Sequence, residues 1–129
     1  NHYLTGDILD THHYPHPRMT LLDTNRATVL GEYGGIGLPM EGHLWWNKRN
    51  WGYVQFKTPE EVTAEYEKYA KSLIKYVRLG FSGAVYQTTD VEGEVNGLFT
   101  YDRKVMKVLP ERLKAANKAV IESMPLDME

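Results

Sequence analysis

The order of apolar segments along the chain constrains its fold more than any other feature. Three short apolar runs, at residues 6–11, 26–33 and 81–88, each lead into a polar loop. The pattern is strand, polar loop and helix, three times over. Short apolar runs bounded by turn residues are typical of buried parallel strands. This order predicts a parallel α/β sheet with right-handed crossovers, in which functional residues follow the carboxyl ends of the strands.

Local signals predict two helices. Thr58 precedes Pro59 and lies three residues before Glu61, which is the pattern of a capping box with proline in the first turn. Apolar residues then recur at helical spacing as far as Val77, and Gly80 is expected to end this helix. A second helix is predicted over about residues 109–123. Its apolar face comprises Leu113, Ala116, Val120 and Met124. Residues 39–57 are expected to form a long loop.

Composition and charge exclude several classes of protein. The 129 residues, 42% of them hydrophobic, suffice for one domain with a single core. The sequence has no cysteine, which excludes a disulfide scaffold and a zinc site built on thiolates. A formal net charge of −2 gives no basic surface for nucleic acid. We expect no membrane span and see no signal peptide in the first seven residues, which leaves the compartment open.

Glu32 is the strongest candidate for chemistry. It ends the second apolar run and is flanked by Gly31 and by the pair Gly34-Gly35, which allow a substrate or a neighbouring backbone to approach closely. A carboxylate at the mouth of a parallel strand can act as a nucleophile at an anomeric carbon. A carboxylate that pairs with an arginine at the sheet end fits the spacing equally well.

Polar residues also follow the first strand. Asp10, His12, His13 and Tyr14 come together there. His12 and His16 have the spacing of helical zinc motifs, but prolines on both sides of His16 exclude that helix, so no metal is expected. One histidine and Tyr14 are expected to point into a pocket, although Asp10 and a histidine that only brace the loop fit as well.

A third polar group follows the last strand and contains Tyr86, Gln87, Asp90, Glu92, Glu94 and Asn96. Because side chains alternate along a strand, only one of Tyr86 and Gln87 is expected to face the pocket. Acidic side chains here could bind sugar hydroxyls, hold a cation or serve as acid and base, whereas Glu94 is expected on a solvated surface. Trp45, Trp46 and Trp51 in the long loop form either a stacking wall or a cover for the loop itself.

Three motifs carry a resemblance to a known family. They are DTHHYP at residues 10–15, GEYGG at residues 31–35 and YQTTDVEGEVNGL at residues 86–98. In this order they resemble glycoside hydrolase family 2, the β-galactosidase and β-glucuronidase family, over nearly the whole chain. The resemblance implies that residues 1–129 are one domain, a C-terminal fragment of a catalytic (β/α)₈ barrel that holds its last three strands.

The resemblance also implies roles for individual residues. Glu32 would be the catalytic nucleophile, Tyr14 would donate a hydrogen bond to it, and the Tyr86 ring would form the floor of the sugar subsite. The other residues expected to bind substrate are His12, His13, Asp90, Glu92 and Trp45. No cofactor is implied. The family's acid/base residue follows asparagine in an Asn-Glu pair, and this chain contains no such pair.

The chain is therefore expected to be part of a retaining exo-β-glycosidase, β-galactosidase-like and inactive by itself. Its partners would be a carbohydrate and the rest of the barrel. Alone, it is expected either to self-associate or to repack with helices over both sheet faces.

Three alternatives stay open. One is a β-glucuronidase or a β-mannosidase; the glucuronidase would need a cation for the uronate, which Lys48, Arg49 or Arg103 could supply. The second is a non-catalytic carbohydrate-binding module that uses its tryptophans, and the third is a purely structural domain. Enzymes of this kind are often exported, but no residue here fixes the compartment.

Overall fold

The computed structural model describes residues 5–46 and 48–128, so part of the segment inspected for a signal peptide, residues 1–4, lies outside the described residues. The strands are β1 (Ile8–His13), β2 (Ala27–Tyr33), β3 (Ile36–Gly37), β4 (Val54–Gln55) and β5 (Gly83–Tyr86). The helices are α1 (Pro59–Leu79) and α2 (Pro110–Glu122), with a short 3₁₀ turn at Leu126–Met128. The predicted α/β class, with parallel strands, is confirmed.

The main sheet contains three parallel strands in the order β1-β2-β5. Within this sheet the strands are therefore arranged in their order along the chain, and β3 and β4, which lie between β2 and β5 in the sequence, belong to a second sheet. The prediction of a helix after the first strand is wrong, because residues 14–26 connect β1 to β2 without one. Pro15 and Pro17 lie in this connection, and each lacks the N–H that a helix interior requires.

The segment expected to be one long loop contains part of a second sheet. Strands β3 and β4 pair in parallel, with Ile36 opposite Val54 and Gly37 opposite Gln55. The expectation of an unbroken loop over residues 39–57 is therefore wrong at its carboxyl end. The pairing returns the chain to the end of β2 and brings Tyr53 back beside the carboxyl ends of the main strands.

Helix α1 begins and ends where the local signals predict. The Thr58 side chain accepts a hydrogen bond from the Glu61 N–H at 3.2 Å, and Gly80 ends the helix with φ of 123°. Helix α2 also lies within its predicted range, but Met124 falls beyond its end and does not join its apolar face. Among the described residues, no helix is long and apolar enough to cross a membrane.

The core lies on one face of the main sheet. Leu30 and Tyr33 of β2 pack there with the buried face of α1, and the apolar side chains of α2 pack against the same cluster. On the opposite face, Ile8 is 58% exposed and Val85 is 56% exposed. Of the two outcomes expected for the isolated chain, repacking with helices over both faces is wrong, because one face of the sheet stays uncovered by the described residues.

Candidate active site

A bulge in β2 sets the direction of Glu32. The paired residues are Thr11 with Leu30, His12 with Glu32, Leu30 with Ala84 and Tyr33 with Tyr86. Compared with both neighbouring strands, β2 therefore has one extra residue between Leu30 and Tyr33. Strict alternation would place Glu32 on the face of the buried Leu30. The extra residue shifts the alternation of side chains between the two sheet faces, so that Tyr33 is buried instead and Glu32 points to the open face.

Two side chains of the β1 end engage the same oxygen of Glu32. The Tyr14 hydroxyl donates to Oε2 at 2.7 Å, and His12 Nδ1 lies 3.4 Å from that atom. His12 Nε2 lies 2.9 Å from Asp10 Oδ2, so the imidazole bridges two carboxylates. Burial, and then the hydrogen bond to Glu32, raise the pKa of Tyr14, which keeps the phenol protonated as a donor. Glu32 itself is 52% exposed and accessible to a ligand.

Tyr14 and Glu32 line an open cleft of about 400 Å³, whereas His12 and Asp10 lie outside its lining. Its lining comprises Tyr14, Gly31, Glu32, Tyr53, Val85, Tyr86, Gln87 and Glu94. The Tyr14 ring stacks on Tyr53 with centroids 4.2 Å apart, and Trp51 meets Tyr53 edge-on at 5.3 Å. The described lining thus combines aromatic faces with two carboxylates and no cation. Such a surface suits a sugar, which offers apolar ring faces and hydroxyl donors.

The glycine pair after β2 makes room for two aromatic rings. A Cβ at Gly34 would lie 2.0 Å from the Tyr86 ring, and one at Gly35 would lie 2.3 Å from the Tyr53 ring. Both glycines also have positive φ, 97° and 75°, which other residues rarely adopt. The close approach that the sequence predicts at these glycines is therefore made by aromatic side chains of the protein itself.

Tyr86, which the resemblance implies would form the floor of a sugar subsite, lines the cleft, and a backbone contact orients it. Its hydroxyl accepts a hydrogen bond from the Ile36 N–H at 3.1 Å. Burial raises the pKa of this phenol. Gln87 lines the cleft as well. The expectation that only one of these neighbours would face the pocket is wrong, because the strand ends at Tyr86 and the alternation ends with it.

Asp90 lies inside the protein rather than in the cleft. Its side chain is 4% exposed and Lys107 is fully buried, with Lys107 Nζ donating to Asp90 Oδ1 at 2.6 Å. The same oxygen accepts from the Gly97 N–H at 2.9 Å. The expected contact between Asp90 and a sugar hydroxyl is thus replaced by a buried ion pair, because Lys107 supplies the partner that a buried carboxylate requires.

Four other residues expected to bind substrate lie outside the lining of the cleft. His12 is one of them and contacts Glu32 from outside the lining. His13 Nδ1 lies 2.6 Å from the His16 carbonyl oxygen, so this histidine braces its own loop. Glu92 is exposed on a turn with φ of 53°. Trp45 is exposed and meets the ring of Tyr101 at 5.8 Å. Of the eight predicted site residues, the structure brings Tyr14, Glu32, His12 and Tyr86 together.

Glu94 and Tyr53 belong to the cleft although the sequence does not single them out. Glu94 was expected on a solvated surface, yet it is half-buried and lines the cleft together with Tyr14 and Glu32. No local pattern marks Tyr53, because only the pairing of β3 with β4 positions it. Gly31 carries a usable signal, since a glycine inside an apolar strand often marks a bulge.

The described residues offer no metal centre. No group of three or more His, Asp or Glu side chains within residues 5–46 and 48–128 is arranged to hold an ion. The His12 ring separates the carboxylates of Asp10 and Glu32 instead of converging with them on a shared point. The described lining of the cleft supplies carboxylates and phenols, and His12 brings an imidazole to within 3.4 Å of Glu32.

Gly31→Ala tests whether Asp10 and His12 position Glu32. The new Cβ would lie 1.8 Å from Asp10 Oδ1, so the carboxylate must move away from His12. For a protein that contains this chain and uses Glu32 as its nucleophile, we expect kcat to fall by about tenfold, because Glu32 loses its alignment. The free energy of unfolding should change by less than about 1 kcal/mol, since only the end of the exposed Asp10 side chain is displaced. Gly83→Ala, where a Cβ meets nothing within 4 Å, is the matched control. Unchanged kcat in Gly31→Ala would contradict this role.

Comparison with protein-family models and with curated protein sequences finds no match to this chain.

Proposed function

We propose that this chain carries the nucleophile half of a retaining exo-β-glycosidase active site, with β-galactosidase-like specificity. The observation that carries the proposal is the hydrogen bond from Tyr14 to Glu32 at the carboxyl end of a parallel strand, inside an aromatic cleft. A nucleophilic carboxylate must be accessible, held in place and surrounded by surfaces that fit a sugar. Glu32 meets all three requirements.

The geometry suggests which oxygen attacks. Tyr14 and His12 both engage Oε2, and no described residue hydrogen-bonds Oε1. Oε1 would form the bond to the anomeric carbon while the bond to the leaving oxygen breaks. An acid outside this chain would give that oxygen its proton, and the same group would then activate water to release the sugar from Glu32. Tyr14 and His12 would hold Oε2 throughout both steps.

The fold supports a place within a (β/α)₈ barrel. In such a barrel the strands are parallel and pair in chain order, and all helices cover the outer face. The sheet here has sequential strand order and helices on one face only. Among the described residues, β1 and β5 each pair only with β2. The uncovered face and edges fit contact with further strands, and a piece that lacks them would self-associate through the same surfaces.

The charge of the cleft favours a neutral sugar over a uronic acid. Among its described lining residues, Glu32 and Glu94 are charged and no lysine or arginine is present. Lys48, Arg49 and Arg103, the residues considered for uronate binding, do not line the cleft. A uronate would meet repulsion there without a cationic partner. We therefore prefer a β-galactosidase or β-mannosidase to a β-glucuronidase.

A mechanism-based inhibitor tests the proposal directly. An activated 2-deoxy-2-fluoro-β-galactoside should trap the glycosyl-enzyme of the full-length protein. Peptide mapping by mass spectrometry is expected to find the sugar on the peptide that contains Glu32, with one fluorosugar per chain. A label on another carboxylate, or active enzyme that is never labelled on this peptide, would remove Glu32 from the nucleophile role.

Tyr14→Phe measures the contribution of the phenol hydroxyl. The substitution keeps the ring that stacks on Tyr53 but removes the 2.7 Å donor to Glu32. We expect kcat to fall by about 10- to 100-fold with a smaller change in KM, since a charge-assisted hydrogen bond is lost. Tyr101→Phe, an exposed tyrosine outside the cleft, is the control. A wild-type kcat for Tyr14→Phe would show that this bond does not assist the reaction.

The exposed tryptophans favour a second candidate, a carbohydrate-binding module without catalysis. Trp45, Trp46 and Trp51 are each about half exposed, at 58%, 48% and 46%. Exposed aromatic rings are common platforms for sugar rings. In this case Trp45→Ala would weaken oligosaccharide binding, whereas a sugar bound in the cleft beside Glu32 would be unaffected, because Trp45 lies outside the cleft lining. Calorimetric titration of the wild type and Trp45→Ala separates the two candidates.

A further inference from the structure

Glu94 is the second carboxylate of the cleft, and a buried amide holds it there. Asn96 is fully buried, and its Nδ2 donates to Glu94 Oε1 at 3.0 Å. The other end of the same amide, Oδ1, accepts from the Tyr53 N–H at 3.2 Å. Both ends of the Asn96 side chain are therefore used, and they tie Glu94 to the backbone of Tyr53, whose ring lines the cleft.

The second oxygen of Glu94 is available to a ligand. No described residue donates a hydrogen bond to Oε2, although the side chain is half-buried and lines the cleft. A carboxylate oriented through one oxygen can accept a strong, charge-assisted hydrogen bond through the other. Sugar hydroxyls are such donors, whereas the carboxylate of a uronic acid would be repelled.

We propose that Glu94 is a specificity-determining residue that accepts a hydrogen bond from a hydroxyl group of a neutral sugar and rejects uronic acids. This inference rests on the proposed glycosidase function and extends it to substrate selection. Selectivity of this kind combines an attractive contact for one ligand with repulsion of its competitor. Glu94 supplies both with one side chain.

Glu94→Gln in the full-length protein tests the inference. Glutamine keeps the length of the side chain, and its carbonyl oxygen can still accept from Asn96, but the charge is lost. We expect kcat/KM for an aryl β-galactoside to fall by about 10- to 100-fold. The activity ratio of the aryl β-glucuronide to the galactoside should rise at least about tenfold as the repulsion is removed. Glu41→Gln, an exposed carboxylate outside the cleft, should match the wild type in both measurements.

The leaving group distinguishes sugar binding from acid catalysis at Glu94. A residue that binds the sugar affects dinitrophenyl and methyl galactosides equally. A residue that protonates the leaving oxygen is needed for the methyl glycoside and hardly at all for the dinitrophenyl glycoside. Equal losses support the proposal. A loss confined to the methyl glycoside overturns it and makes Glu94 the acid.

Further outcomes separate this inference from the proposed function. If the wild type is active and labelled on Glu32 while Glu94→Gln keeps wild-type rates and selectivity, the inference alone is overturned. If the wild type shows neither activity nor label, both are overturned. Should Glu94→Gln fail to fold by circular dichroism, Glu94→Asp replaces it. That variant keeps the charge but shortens the side chain, so the galactoside should lose kcat/KM while the preference against the glucuronide persists. Loss of that preference would contradict the proposal.

Discussion

Glu32→Gln is expected to lower kcat of the full-length protein by about 10⁴-fold or more, because an amide cannot form the glycosyl-enzyme. The substitution keeps the size of the side chain, and its carbonyl oxygen can still accept the hydrogen bond from Tyr14. Sugar binding should therefore change little. Hydrolysis of an aryl β-galactoside measures the loss, and quenching of tryptophan fluorescence by galactose measures the binding that remains.

A chemical rescue separates loss of the nucleophile from loss of the fold. Glu32→Ala opens a space in which azide can attack the anomeric carbon as the activated leaving group departs. The product should be the α-glycosyl azide, inverted relative to the substrate, because one displacement replaces two. Asp10→Asn is the matched carboxylate variant, since Asp10 reaches Glu32 only through His12. It should lose about tenfold in kcat and show no rescue by azide. Appreciable turnover by Glu32→Gln would contradict the nucleophile role.

The parts of the fold that sequence predicts are those fixed by neighbours in the chain. The capping box at Thr58 and the glycine at residue 80 bound α1 correctly, because a helix end is satisfied by residues within one turn of it. The connection between β1 and β2 and the pairing of β3 with β4 depend on where distant segments meet. A two-residue strand such as β4 carries no periodicity of its own, so its partner cannot be inferred locally.

The candidate site shows the same division. Glu32 and Tyr14 could be chosen from their positions after apolar strands, but the direction of Glu32 depends on the bulge at Gly31. Glu94 and Asp90 lie four residues apart in one acidic loop, and composition does not tell them apart. Their environments differ because Asn96 hydrogen-bonds Glu94 in the cleft, whereas Lys107 forms a buried ion pair with Asp90.

Lys107→Met should produce the largest loss of stability among these variants. Lys107 and Asp90 are both buried, and desolvation raises the pKa of Asp90 and lowers the pKa of Lys107 despite their mutual attraction. The pair therefore does little more than offset the cost of burying its charges. Methionine would leave the Asp90 carboxylate buried without a counter-charge. We expect the free energy of unfolding to fall by about 3–5 kcal/mol, measured by urea denaturation at neutral pH.

A second substitution should recover most of this loss, since the cost comes from one stranded charge. In Asp90→Asn/Lys107→Met no charge remains, and the asparagine oxygen can still accept from the Gly97 N–H. Lys118→Met, at a position 72% exposed, should change the free energy of unfolding by less than about 0.5 kcal/mol.

The stability deficit of Lys107→Met, which is its loss in free energy of unfolding relative to the wild type, should also depend on pH. Because the folded-state pKa of Asp90 is raised, the deficit is small below the ordinary carboxyl range and grows as pH rises through the raised value. A double variant no more stable than Lys107→Met, or a deficit independent of pH, would show that the buried carboxylate is not the source of the loss.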